Sequence, residues 1–120
     1  MDPKCAGIAR ELIELAGCSD IVTVVEGAAE ESLRKMKADG TLTQLDMVFL
    51  DHVEDLYVAD FKVCEELGLL KEGVVIVADN VVRPGAPEYR KFVREHPRLT
   101  STGVRGLIQP GNFEVCLFSE

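Results

Sequence analysis

The sequence predicts an α/β fold built on a mixed sheet, and three observations carry that prediction. Apolar periodicity switches regularly along the chain between the helical and the extended kind. Residues 45–50 and 73–78 are nearly unbroken apolar runs, the pattern of parallel strands covered on both faces. Between them lies a helical stretch, which completes a βαβ unit.

The elements follow in order. Residues 3–16 set Ile8, Leu12, Leu15 and Ala16 on one helical face, opened by Pro3 and closed by Gly17. Residues 21–25 read as a strand. Residues 28–38 form a second helix, with Leu33 and Met36 on one side, a solvated face of Glu30, Glu31, Arg34, Lys35 and Lys37, and a stop at Asp39-Gly40. The crossover helix spans 55–68, carries Leu56, Val58, Phe61, Val63, Cys64 and Leu67, and ends at Gly68. After the second apolar run comes the turn Arg83-Pro84-Gly85-Ala86-Pro87, then a helix over 88–95 that His96-Pro97 terminates. Residues 99–104 and 113–118 are more polar strands separated by 106–112, an antiparallel pair at the sheet edge.

Composition narrows the function classes. The chain's 120 residues, 47% hydrophobic, suffice for one small domain. Thirteen Lys plus Arg against twenty-one Asp plus Glu leave a formal charge of −8, which repels a phosphate backbone and argues against nucleic-acid binding. No apolar run approaches the roughly 20 residues that span a bilayer, and Asp2 stands where a secretory signal is basic, so the reading is cytoplasmic and not membrane-bound. Cys5, Cys18, Cys64 and Cys116 lie far apart among apolar neighbours, as buried reduced thiols would. His96, at a helix end, is expected on the surface.

In an open α/β sheet, ligands gather at the carboxyl ends of the strands, where Asp51 and Asp79-Asn80 fall. Two carboxylates and an amide oxygen on neighbouring strand ends suit a hard octahedral cation, Mg²⁺ above others. The competing reading of equal weight is that both aspartates cap the segments that follow and Asn80 makes a turn. His52 is a ligand contact or a loop residue with one hydrogen bond; Glu54 and Asp55 suit the first turn of the next helix. Phosphate-loop and serine-hydrolase signatures are absent.

Several stretches together resemble the catechol O-methyltransferase family. They are Leu45-Asp46-Met47-Val48-Phe49-Leu50-Asp51-His52, Gly68-Leu69-Leu70 with Gly73, Ala78-Asp79-Asn80-Val81, and Pro84-Gly85. The resemblance implies a Rossmann-like methyltransferase fold with strand order 3-2-1-4-5-7-6, of which residues 1–120 are a single partial domain. Its first two strands and glycine-rich cofactor loop would lie outside this chain, with residues 21–25 as the third strand. The strand at 45–50 would then present an open edge through which copies could associate. The family transfers a methyl group from S-adenosylmethionine to a catechol hydroxyl with Mg²⁺, and its metal ligands fall on Asp51, Asp79 and Asn80. Cofactor contacts fall on His52, on Val53 in place of an adenine-stacking tryptophan, and on Gly27, Ala28, Ala29 and Glu30. Pro84 matches the apolar wall around the catechol ring. Glu54 occupies the catalytic position of the family's base lysine, although a carboxylate near a cation accepts a phenolic proton poorly. A late substrate-contacting glutamate falls on Glu114 after a shift in alignment, and on Arg105 without it.

Overall fold

A computed structural model describes residues 2–105 and 110–119. Helix α1 (Pro3–Leu15) starts where the Asp2 carboxylate accepts the Lys4 amide at 2.8 Å and Pro3 fills the first turn. Helix α2 (Ala29–Ala38) has Glu30 and Glu31 at its start and Lys35 and Lys37 at its end, the distribution the helix dipole favours. Strand β1 (Leu45–Leu50) leads through a 3₁₀ turn (Glu54–Leu56) into α3 (Tyr57–Glu66), and β2 (Leu70–Ala78) follows. A wide turn (Val81–Gly85), containing a cis bond between Arg83 and Pro84, precedes α4 (Pro87–Glu95). Strands β3 (Leu99–Arg105) and β4 (Pro110–Phe118) close the order. Part of the connection expected over 106–112 lies outside the described residues.

The four strands form one sheet in the order β1-β2-β4-β3, with β1 and β2 parallel and the other two pairings antiparallel. That order is the last four places of the sequence implied by the family resemblance. One face is the core. Val74, Ile76 and Ala78 of β2 and Cys116 and Phe118 of β4 lie fully buried under Tyr57 and Phe61 of α3 and Tyr89 and Val93 of α4. These helices lie over the sheet because their apolar stripes find no other surface to bury against.

The opposite face departs from expectation. Met47 and Phe49, each 53% exposed, stand beside Val75 and Val77, which in turn flank Leu117 and Val115. The apolar runs of β1 and β2 are thus covered on one face, not two, because no described element packs on the other. Residues 21–25 are likewise not a strand: Ile21, Val22 and Val25 are exposed and no described strand pairs with them. A strand exists only through ladder hydrogen bonds to a neighbour; this segment is tied instead to α1, through Arg10 to the Val24 carbonyl at 3.2 Å and to Glu26 at 2.7 Å. Helix α1 itself forms as its periodicity predicts, yet Ile8, Leu12 and Leu15 are exposed.

Two smaller expectations also change. Cys64 and Cys116 are buried, but Cys5 is exposed and Cys18 half-buried, since little packs against α1; all four are free thiols. His96 is not a surface residue. Its ring lies 5.3 Å from that of Phe92 and 5.6 Å from that of Phe61, with Nε2 3.4 Å from Glu65. No helix among the described residues is long and apolar enough to cross a membrane.

Candidate functional site

The register of the parallel pair builds the site. Leu50 stands opposite Ala78, and the Asp79 amide donates to the Leu50 carbonyl at 2.9 Å, so Asp51 and Asp79 leave neighbouring strand ends at the same level. Asn80 adopts φ 60°, a left-handed conformation that Asn tolerates better than most residues. Its amide N–H donates to Asp79 Oδ1 at 2.6 Å, and its Nδ2 donates to the Arg83 carbonyl at 3.4 Å. The latter bond uses the nitrogen of the side-chain amide and not its oxygen. The chain thus turns sharply just after β2 and keeps Asp79 and Asn80 at the sheet's rim.

His52 follows Asp51 and is held from below by α3. Its Nε2 lies 2.7 Å from Asp60 Oδ2, and its ring packs 5.0 Å from that of Tyr57. Tyr57 is fully buried, meets Tyr89 edge-on at 5.5 Å, and donates its hydroxyl to the Asp79 carbonyl at 3.2 Å. Burial, reinforced by the charges of Glu54 and Asp51, pushes the Tyr57 phenol up to about 12, which keeps it a donor at neutral pH. Neither Tyr57 nor Asp60 stands out in the sequence as a site residue, since both fall on the apolar stripe of α3. The available signal is chemical: Asp60 is a carboxylate flanked at helical spacing by Tyr57, Phe61 and Cys64, and a buried carboxylate needs a partner.

The remaining candidates are spread more widely. Glu54 and Asp55 in the 3₁₀ turn and Val58 form one wall of a shallow cleft whose other wall includes Ala86, Pro87 and Tyr89. Val53 precedes that turn and is exposed, as is Pro84 in the wide turn after Asn80. Gly27, Ala28, Ala29 and Glu30 are exposed at the start of α2, and the Glu30 carboxylate accepts from Arg34 at 3.0 Å. Glu114 is fully buried. It accepts two bonds from Arg94 at 2.7 and 3.0 Å and one from Ser101 at 2.7 Å, with Arg90 at 3.5 Å. Expected at the substrate, it has no exposed surface and both oxygens are engaged. The side chain of Arg105, its alternative, lies outside the described residues.

Among the described residues, no three or more His, Cys, Asp or Glu side chains are gathered as a metal cluster. The strand-end set is two carboxylates and an amide, donor types that suit a small hard cation completed by water or ligand oxygens. The fit to S-adenosylmethionine is partial. Of the six expected contacts all are exposed, and only His52 offers a ring.

A mixed sheet with helices folded over it and acidic residues at the ends of its parallel strands is an α/β arrangement of the Rossmann-like kind, in which ligands gather at the strand ends. The chain belongs to the O-methyltransferase family, whose model matches residues 1–99. It is 45% identical over 97 residues to the catechol O-methyltransferase of Bos taurus, covering 81% of this chain and 36% of that enzyme. To the catechol O-methyltransferase of Sus scrofa it is 43% identical over 102 residues, covering 85% and 55%. Among solved structures, the O-methyltransferase from Bacillus cereus in complex with SAH superposes with a TM-score of 0.81 at 27% identity, covering 98% of this chain and 60% of the other. The chain therefore spans between about a third and three fifths of the relatives it matches.

Proposed function

We propose that this chain carries the metal and acceptor side of an O-methyltransferase that moves a methyl group from S-adenosylmethionine to a catechol hydroxyl, with Mg²⁺ held by Asp51, Asp79 and Asn80. The observation that carries the proposal is the placement of Asp51 and Asp79 immediately beyond the paired residues Leu50 and Ala78, in a chain of this family. Relatives named for catechol methylation and one solved with SAH support the substrate and donor classes.

When bound, Mg²⁺ supplies a Lewis acid that makes a phenolic hydroxyl more acidic, and S-adenosylmethionine supplies an electrophilic methyl group. The chain's own residues do the placing. Asp51 and Asp79 would offset the cation's charge, Asn80 would add a neutral oxygen, and Pro84 offers an apolar surface to an aromatic ring, while the cleft beside Glu54 is of mixed character, with Val58, Ala86 and Pro87 beside Glu54, Asp55 and Glu88. Positioning of this kind supplies much of the rate in a transfer between two bound partners. Glu54 holds the proton acceptor's place as a carboxylate, ordinarily a weak base at neutral pH. His52 and residues 27–30 contribute part of the donor's contacts. A cytoplasmic setting belongs to the same proposal, supported by the four free thiols.

Calorimetric titration of Mg²⁺ tests this reading. Heat is expected with the 120-residue chain and is expected to disappear in Asp79→Ala; equal heats would remove the metal site. With Mg²⁺ present, catechol should shift the amide resonances of Asp51 and Asn80 while phenol, with one hydroxyl, should not. Identical shifts from both would remove catechol as the acceptor class.

A further inference from the structure

We infer that Tyr57 and Asp60, one turn apart on α3, are positioning residues for the strand-end site: Asp60 orients His52, and Tyr57 orients the backbone between Asp79 and Asn80. The inference rests on the metal-site reading above and extends it to a helix from which no ligand comes.

Asp60 is 8% exposed, and its Oδ2 lies 2.7 Å from His52 Nε2. A carboxylate so far from water is costly unless a donor satisfies it. Facing an acceptor-only group, Nε2 is the nitrogen that carries the proton in the neutral ring, which leaves Nδ1 the acceptor. The Tyr57 ring, 5.0 Å away, limits rotation of the imidazole about the same position. His52 is therefore fixed in tautomer and in plane, although it sits at an exposed rim.

Tyr57 acts on the other strand. Its ring is wedged between His52 and Tyr89, and its hydroxyl reaches the Asp79 carbonyl at 3.2 Å. That carbonyl belongs to the peptide joining Asp79 to Asn80, where the backbone leaves β2 and turns left-handed. A donor there holds the plane of that peptide, and with it the directions from which the two side chains depart. Outer partners of this sort are general in metal sites, where their loss weakens affinity about 10- to 100-fold. A single helical turn thus ties both strand ends to the core, so that the spacing of Asp51 and Asp79 does not depend on loops alone.

Mn²⁺ suits the same oxygen ligands as Mg²⁺, and free Mn²⁺ is read directly by its electron paramagnetic resonance signal. Tyr57→Phe keeps the buried ring and removes only the hydroxyl. The expected result is Mn²⁺ binding by the 120-residue chain that Asp79→Ala abolishes and Tyr57→Phe weakens by about tenfold, with the melting curve of Tyr57→Phe still cooperative. Unchanged affinity in Tyr57→Phe would overturn the role of Tyr57 and leave the metal site standing. No difference between the parent chain and Asp79→Ala would overturn the metal site and this inference together. For Asp60, ring ¹⁵N shifts of His52 should report the Nε2–H tautomer in the parent chain and in Asp60→Asn, whose amide oxygen still accepts, and a mixture in Asp60→Ala. A mixture already in the parent chain, or a pure tautomer in Asp60→Ala, would overturn the role of Asp60. The parent spectrum decides alone if Asp60→Ala does not fold.

Discussion

Glu114 carries a fully buried carboxylate on β4. The family resemblance, after a shift in alignment, gives it a place at the substrate; in the fold it is enclosed, with Arg94 and Ser101 bonded to it and Arg90 beside them. Burial by itself would raise its carboxyl, but the bonds from Arg94 and Ser101 and the Arg94 and Arg90 charges outweigh burial and hold it below the usual glutamate value of 4.5. A carboxyl depressed in the folded state adds stability above about pH 4.5, and that stability is lost as pH falls through the folded value. Glu114→Gln should therefore flatten the acid limb of a stability-versus-pH curve measured by urea unfolding. Arg94→Ala should cost roughly 3 kcal/mol at pH 7, the low end for stranding a buried charge because Arg90 remains nearby. A loss under about 0.5 kcal/mol would show that Arg90 and Ser101 suffice. Asp51, Asp79 and Asn80, by contrast, were legible as candidates because a strand's end is a local property of the chain. Tyr57 and Asp60 were not, since only the approach of α3 to the sheet gives them partners.

Among the elements, β2 shows how register depends on one backbone conformation. Leu45 pairs with Leu70 and Met47 with Val75, so β2 holds extra residues opposite β1 at this point, and Gly73 takes φ 83° there. A side chain at Gly73 would meet no atom within 4 Å, which leaves backbone strain as the only cost. Gly73→Ala should thus destabilise by about 1–2 kcal/mol, and Gly73→Asn by less. For a domain of this size that corresponds to a fall in Tm of roughly 4–8 °C. Equal melting temperatures for Gly73→Ala and the parent would show that the bulge can relax without a left-handed residue. The sequence pattern located this strand's second half from its apolar run, but not its start at Leu70, because Lys71 and Glu72 in the bulge interrupt the alternation. Helices α2 and α4 were legible to within a residue and α3 to within two at each end, since apolar spacing and the stops that follow it are local signals.

Seen whole, the molecule has a well-packed side and an open one. Its radius of gyration is 15.2 Å, against about 13.6 Å expected for a compact chain of this length. The excess matches an α1 with an exposed apolar stripe and a residue 21–25 segment outside the sheet. Strand β1 is at the sheet's edge, and Met47 and Phe49 face outward from it. Unpaired edges beside exposed apolar side chains promote association between chains. Sedimentation at micromolar concentration is expected to give species heavier than the 13.2 kDa monomer, and Phe49→Lys to shift them toward monomer at little cost to stability. A monodisperse monomer in the parent chain would show that the open face is tolerated in water.

The sequence by itself determined the α/β class, the succession of helices and of the sheet's four strands along the chain, though with one strand too many at 21–25, and the acidic residues at the ends of the parallel pair. These depend on periodicity, caps and strand ends, all of which are written within a dozen residues. Only the tertiary structure decided which apolar surfaces are buried. The pattern of α1 and of residues 21–25 declares a face to be covered, but burial requires a second surface, and the two segments lie against each other with Ile8, Leu12, Leu15, Ile21, Val22 and Val25 still exposed. The same dependence on distant partners made Glu114 an interior charge and brought Tyr57 and Asp60 under the site, because what a side chain touches across the fold is set by how the elements pack and not by its neighbours in the chain.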